Sequence, residues 1–407
     1  RMARRSAQGV PVNQDDAAAR LELLQRESRQ RNQQRIRHDL GIRVRHAITT
    51  RNPVTERLAL FWSNHFTVSQ RPPIVSACCA FENEAVRPGL NGHFETMLLR
   101  VVQHPVMLIY LDNAQSIGPN SQVGRRRNVG LNENLAREIL ELHTLGVDGG
   151  YRQDDVTSLA KVITGWTVGR PEMRRRVQAS PGEFAFVSQM HEPGTHVVLG
   201  QRYKEEGLDQ GIQVLRDIAA HPSTATFLAR KLVRHFVDDE PAERDVRAVA
   251  RVFRKTDGHL PSVHRAVLAL KSAWAPKQRK FKTPYELVVS MFRGLDVQEA
   301  VPRMRSQLAE HAVNALRTMN HLPFTAPSPA GWPDVSDAWG APSALKQRIE
   351  WGVAVGRRLG NVIPARETLS SLIHPDAQSR LSVSVGRAES PAQGLGLLLA
   401  SPDFQWR

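Results

Sequence analysis

Two cysteines, adjacent at Cys78 and Cys79, are all the thiols in this chain of 407 residues. Neighbouring thiols cannot staple distant segments, so no disulfide framework exists. Long apolar runs are missing as well. The longest, Val106–Leu111, falls far short of the ~18 consecutive apolar residues that a membrane-spanning helix needs. No Gly-x-Ser-x-Gly elbow, Walker loop, dinucleotide fingerprint or Cys-x-x-Cys-His haem motif occurs. This removes the common α/β-hydrolase, NTPase, Rossmann and c-type haem readings. Strand-forming patterns are scarce, and no repeat of fixed period appears.

Lysine is also rare. Only 9 of the 55 basic residues are lysine, and the formal net charge is +15. Such a balance suits an anionic partner in principle. The basic clusters at Arg1–Arg5, Arg125–Arg127 and Arg174–Arg176 carry no interleaved stacking aromatics and no recognition motif. A nucleic-acid partner is therefore not expected.

What is present is helical periodicity. Residues 15–49 read as a long polar helix or helix pair rich in Arg and Gln. Asn52-Pro53 reads as an N-cap with proline at the first helical position. The next helix places Leu58, Phe61, Trp62 and His65 on one face. Further helices are expected at 75–86, 93–103, 133–145, 154–163, 208–219, 224–237, 244–254, 262–272, 284–295, 301–319 and 343–359. One β-hairpin is expected near 184–199, with Phe184–Gln189 and His196–Leu199 joined through Glu192-Pro193-Gly194-Thr195, where Pro-Gly suits a type II turn. Segments 118–130, 170–182 and 323–342 read as long loops, which in a compact domain are often functional. The fold class is mainly α, a single large helical domain over 1–407. It comprises a polar helical arm (1–51), a core (52–320) and a C-terminal loop with helices (321–407).

Several polar side chains stand out against this apolar background. Asn134, Glu138 and Glu141 recur at i, i+4, i+7, one helix face. They read either as a solvated face, with Glu141 pairing Arg137, or as a buried network that organises a pocket. His143 lies nearby. The diiron pattern Glu-x-x-His is not met, since Glu138 is followed at i+3 by Glu141. His65 sits on the apolar stripe of its helix, either a satisfied core histidine or a proton carrier. Its neighbour Asn64 points elsewhere and suits a loop contact. Glu82 falls on an apolar face, where burial raises a carboxyl pKa unless a cation pairs with it. Thr164-Gly165-Trp166 ends a helix at a glycine, and Trp166 is a core plug or a pocket wall. His191 and His196 would oppose one another across the hairpin, with His191 facing the helix of Glu138. Two facing histidines are a candidate metal pair, but two ligands alone do not make a site. The catalytic candidates are thus His65, Glu82, Glu138, Glu141 and His143. The ligand-binding candidates are Asn64, Asn134, Trp166 and His191. No cofactor is assigned.

The segments FWSNHFTVS (61–69), FENEAVRP (81–88), HPVMLIYLDN (104–113) and NENLAREILELHTLGVDGGY (132–151) resemble the bacterial family called domain of unknown function 1800. DVTSLAKVITGWTV (155–168), HEPGTHVVLG (191–200), HPSTATFLARKLVRHFV (221–237), PAGWPD (329–334) and LLLASPDF (397–404) continue the resemblance in order. In this chain His196 stands where the family commonly has Lys, and Glu192 where Asp is frequent, so a two-histidine metal site would be peculiar to this protein. The resemblance implies an exported or periplasmic protein, genetically neighbouring a sulfatase-like partner, and an anionic substrate or polymer. The chain opens on Arg1 with no visible signal peptide, and an N-terminal piece is expected to precede it. Two functional readings follow: an enzyme or ligand-binding protein with a His/Glu/Trp pocket, or a non-catalytic assembly partner at the cell envelope.

Overall fold

The computed structural model describes residues 14–127, 130–171, 179–275, 280–304 and 306–407. The basic clusters at Arg1–Arg5 and Arg174–Arg176 lie outside them. The architecture is mainly α, with two small two-stranded sheets. Among the described residues no helix is long and apolar enough to cross a membrane.

Helix α1 (Gln14–Thr49) is polar along its first half and docks its second. Ile36, Leu40, Val44, Ala47 and Ile48 are buried, at the spacing of one helical face. That face packs against the helices Pro284–Gly294 and Leu308–Thr318. The expected arm is thus half arm and half core. Helix α2 (Pro53–His65) starts as expected, with Asn52 Oδ1 accepting from the Thr55 N–H. Phe61, Trp62 and His65 are buried, and Trp62 lies at the centre of an aromatic cluster with Phe66 and Phe94.

Among the expected helices, 262–272 stops at Leu268 before a 3₁₀ turn, 301–319 becomes α-helical only at Leu308, and two more are interrupted within. The expected 75–86 helix is a 3₁₀ turn, a single α turn, a π turn over Glu82–Val86 and a second 3₁₀ turn. Pro88 has no N–H for the ladder there. Residues 133–145 form an α segment, Asn134–Glu138, followed by a π turn, Ile139–His143. The widened turn breaks the i, i+4, i+7 register beyond Glu138. Asn134 is exposed, while Glu138 and Glu141 are half-buried.

The hairpin expectation needs correction in its partners. Strand β1 (Trp166–Val168) pairs antiparallel with β2 (Phe184–Phe186), and β3 (His196–Val198) with β4 (Gln201–Tyr203). Segment 187–195 does not turn one strand back on the other, because its polar groups are taken by tertiary partners. The Glu192 N–H donates to Thr164 Oγ1 at 2.8 Å, the Gly118 N–H to the Met190 carbonyl at 2.9 Å, and Asn120 Nδ2 to Glu192 Oε1 at 2.6 Å. The tight turn is Leu199-Gly200, with φ of 51° and 77°. Positive φ at both central residues is the type I′ geometry that suits a two-residue hairpin. A leucine there is strained, and the Leu199 N–H is held by Asp155 Oδ1 at 2.7 Å. His196 therefore faces Tyr203 rather than His191. Gly165 behaves as expected: it has φ 78°, and a Cβ there would lie 2.6 Å from the Val187 carbonyl oxygen.

A candidate active-site cleft

Polar side chains from four parts of the chain meet in one cleft. It encloses about 90 Å³ open to water centres, room for several waters or a small group. Helices α1 and α2 supply Arg43, Arg57, Ser63 and Asn64; the Pro222–Phe236 helix supplies His235 near its end. The start of the Pro284–Gly294 helix supplies Tyr285 and Glu286. The loop 321–334 closes the cleft with His321, Trp332 and Asp334.

The loop is fixed to α2 by a two-way clamp. Asn64 Nδ2 donates to the Trp332 carbonyl at 3.0 Å, and the Trp332 N–H donates to Asn64 Oδ1 at 2.8 Å. Gly331 permits the close approach. Its φ is 83°, and a Cβ would lie 2.5 Å from the Asn64 carbonyl oxygen.

Opposite the clamp, His235 Nδ1 lies 2.8 Å from Asp334 Oδ2. Burial opposes the Asp334 charge, but His235 and Lys280 outweigh it and hold this carboxyl well below its ordinary range. An ionised carboxylate only accepts, so Nδ1 carries a proton, and in the neutral imidazole the Nε2 lone pair is left for another partner. No described residue hydrogen-bonds Nε2. Lys280 supports the dyad from behind, within 3.6 Å of Asp334 Oδ1 and paired with Asp239.

Glu286 is saturated in a different way. Its Oε2 accepts from the Thr283 N–H at 3.0 Å, while Arg407 Nε lies 2.8 Å and Arg57 Nη2 3.4 Å from its Oε1. Burial raises the Glu286 pKa, but the two guanidinium groups prevail and bring it down to about 2.

Glu82 stands directly behind the cleft wall. It accepts from Arg43 Nε at 2.9 Å, Ser63 Oγ at 2.8 Å and Arg87 Nη2 at 2.7 Å. Burial is again the largest influence, and Arg43 and Arg87 overcome it to hold the pKa low.

The other nominated residues lie elsewhere. His65 Nε2 meets the His143 carbonyl at 3.1 Å, so α2 packs against the Glu138 helix through its end. Both imidazoles leave a buried Nδ1 without a partner. Burial, reinforced by the nearby Lys231, drives His65 well below its usual pKa and His143 down to about 3. Lys231 itself is lowered by burial to about 8, and no described residue hydrogen-bonds its amine. Glu138 is raised, first by burial and then by Glu141. Arg137 Nη1 reaches Glu141 Oε1 at 3.5 Å, the solvated-face pairing. Trp166 is fully buried as a core plug against Phe184. His191 Nδ1 lies 3.1 Å from the Thr164 carbonyl, next to Phe186. His196 has its pKa lowered, by burial and then by Lys161. Among the described residues no group of three or more His, Cys, Asp or Glu is placed to hold a metal ion.

A second hollow, about 240 Å³, lies between the helices Leu308–Thr318 and Pro342–Leu359 and is the roomier of the two. Its polar liners are His311, Asn314, Thr318 and Arg358, and no carboxylate lines it. Chemistry, rather than size, therefore favours the cleft.

The class these features define is a mainly helical domain with a cleft walled by an aspartate-oriented histidine. The chain belongs to the family described as protein of unknown function, DUF1800, whose model matches residues 2–406. No curated protein and no solved structure matches it.

Proposed function

We propose that the cleft is an active site in which His235, oriented by Asp334, acts as a general base on a small ligand or on one unit of a polymer. The observation that carries this reading is the 2.8 Å contact from Nδ1 to Asp334, in a histidine whose Nε2 no described residue engages. A carboxylate on one ring nitrogen selects the tautomer with a basic second nitrogen. The serine and threonine hydroxyls in the cleft wall are otherwise committed. Ser63 Oγ donates to Glu82, Thr67 Oγ1 to the Asn64 carbonyl, and Thr283 Oγ1 to Glu286. The chemistry that fits is activation of water or removal of a substrate proton, rather than attack by a serine or threonine. Asn64 and Glu82 are positioning residues in this reading, the first through the Trp332 loop and the second through Arg43. His65, His143 and the Glu138 helix support α2 from its other side. The anionic substrate implied by the family resemblance suits a cleft flanked by Arg43 and Arg57.

The test is a turnover screen over chromogenic carboxylic, phosphate and sulfate esters and glycosides. His235→Ala and Asp334→Asn should each lower turnover of any substrate by ~10²–10⁴-fold, the usual scale of a general base. Turnover that survives both substitutions would remove the dyad from the chemistry.

A further inference from the structure

The hydrogen-bonding inventory of the cleft is lopsided. Every carboxylate and amide acceptor in its wall is already engaged: Glu286 by Thr283 and Arg407, Asp334 by His235, and Asn64 Oδ1 by the Trp332 N–H. Glu82, just behind, is engaged three times over. The uncommitted groups are mostly donors. The Trp332 indole N–H and the Tyr285 hydroxyl are buried without a partner. His321 adds another donor, one that no described residue accepts. The Tyr285 N–H donates to His321 Nδ1 at 3.2 Å, and burial lowers this imidazole to about 3. It is therefore neutral with its proton on Nε2. The His321 and Trp332 rings are in contact, with centroids 5.0 Å apart, so two of these donors are neighbours.

Charge points the same way. Two guanidinium groups share Glu286, and Arg57 is the less engaged of them, at 3.4 Å with its side chain 41% exposed. A buried donor without an acceptor is unfavourable, the more so when it is charged. The group that removes these costs together is rich in acceptors and negatively charged.

We propose that the cleft holds an oxyanion group, a carboxylate, sulfate or phosphate, between Arg57 and the indole and imidazole N–H groups of Trp332 and His321. This rests on the cleft being a ligand site. It adds which chemistry enters and which end of the ligand is held. The oxyanion anchors on the donor wall, while His235 Nε2, a lone pair that no described residue engages, faces the remainder of the ligand.

The experiment uses the intact chain and three probes, sodium sulfate, phosphate and acetate, with sodium chloride at matched ionic strength as reference. The readout is the indole N–H region of a ¹H–¹⁵N spectrum, where the seven tryptophans each give one signal and Trp332→Phe identifies that of Trp332. The Trp332 signal should move downfield and saturate with at least one oxyanion and not with chloride. A preference for sulfate or phosphate over acetate, or the reverse, assigns a tetrahedral or a planar group. Arg57→Gln should weaken the effect about tenfold or more, as expected for loss of a charge-assisted hydrogen bond, and Arg57→Lys should weaken it less. The other indole signals report that each variant is folded. A Trp332 signal unmoved by all three anions, moved equally by chloride, or indifferent to Arg57→Gln overturns the proposal. If a neutral fragment still binds the cleft in that case, the oxyanion claim alone fails; if nothing binds there, the active-site reading fails with it.

Discussion

Asn64 and Trp332, 268 positions apart in sequence, hold one another by a reciprocal pair of hydrogen bonds, one of 3.0 Å and one of 2.8 Å. That pair attaches the 321–334 loop to α2 and sets the mouth of the cleft. Asn64→Ala should cost ~1–3 kcal/mol, two ordinary hydrogen bonds, and release the loop. Urea denaturation gives the stability change, and hydrogen exchange at Trp332 should speed up locally. A loop that keeps its protection in Asn64→Ala is held by something else.

Glu82 is the single carboxylate shared by Arg43 and Arg87 behind the wall. Arg87 keeps a second carboxylate in Glu56, but Glu82→Gln leaves the buried Arg43 without its counter-charge and should destabilise by ~3–5 kcal/mol. A loss within ~0.5 kcal/mol, the scale of an unremarkable surface change, would show that Arg43 finds another partner.

Acid should weaken the fold in a defined window. The carboxyl of Glu286 falls from an ordinary 4.5 to about 2, and His143 from 6.5 to about 3. Both folded pKa values are depressed, so each contribution is complete above the unfolded pKa and is lost as pH falls through the folded one. Stability should therefore begin to drop below about pH 6.5 as His143, with the similarly depressed His65, His264 and His321, protonates in the unfolded chain, and drop faster below about 4.5 as Glu286 joins. Glu286 alone corresponds to roughly 3 kcal/mol. Denaturation midpoints across pH 3–7 check this, and His143→Gln should flatten the upper part of the slope. An unchanged slope in that variant would assign the proton uptake elsewhere.

The fold was legible in large part because helical periodicity survives tertiary packing. The Asn52-Pro53 start, the amphipathic face of α2 and the Gly165 stop are local signals, and each has a local physical cause. The π turns at 82–86 and 139–143 were not legible, because nothing in the residue pattern marks a single i→i+5 turn. The β pairing was misread because Pro193-Gly194 is a strong turn signal, whereas the actual turn is Leu199-Gly200, a leucine held at positive φ by a distant aspartate. The cleft was legible only at Asn64. Its dyad joins a helix end to a loop 99 positions away, which no helical spacing encodes. The segments containing His235 and Asp334 were nonetheless among those carrying the family resemblance, and that was the available signal. His65, His143 and Trp166 drew notice as titratable or large residues in an apolar setting, the pattern a close-packed core also shows.

Lys231 sits one helical turn before His235, lowered to about 8, with no described hydrogen-bond partner. Its side chain is half-buried, with the amine 5.6 Å from the Phe227 ring centroid, and drawing a cation out of water is unfavourable. Lys231→Met should raise stability at pH 7 by ~1–3 kcal/mol. The folded pKa is depressed, so the lysine's penalty is full below about 8 and fades towards its ordinary 10.5. The gain from the substitution should shrink over that range. A destabilised Lys231→Met would mean that the amine has a structural role beyond these contacts.

The most direct test of the central claim is a crystallographic soak of the intact protein with a fragment library that includes carboxylic acids, sulfonates and neutral compounds. Fragments should collect in the cleft, an anionic group against Arg57, Trp332 and His321 and a polar atom within hydrogen-bonding distance of His235 Nε2. Fragments that gather at the larger hollow beside Trp351, or around His65, His143 and Lys231, while the cleft stays empty, would contradict it.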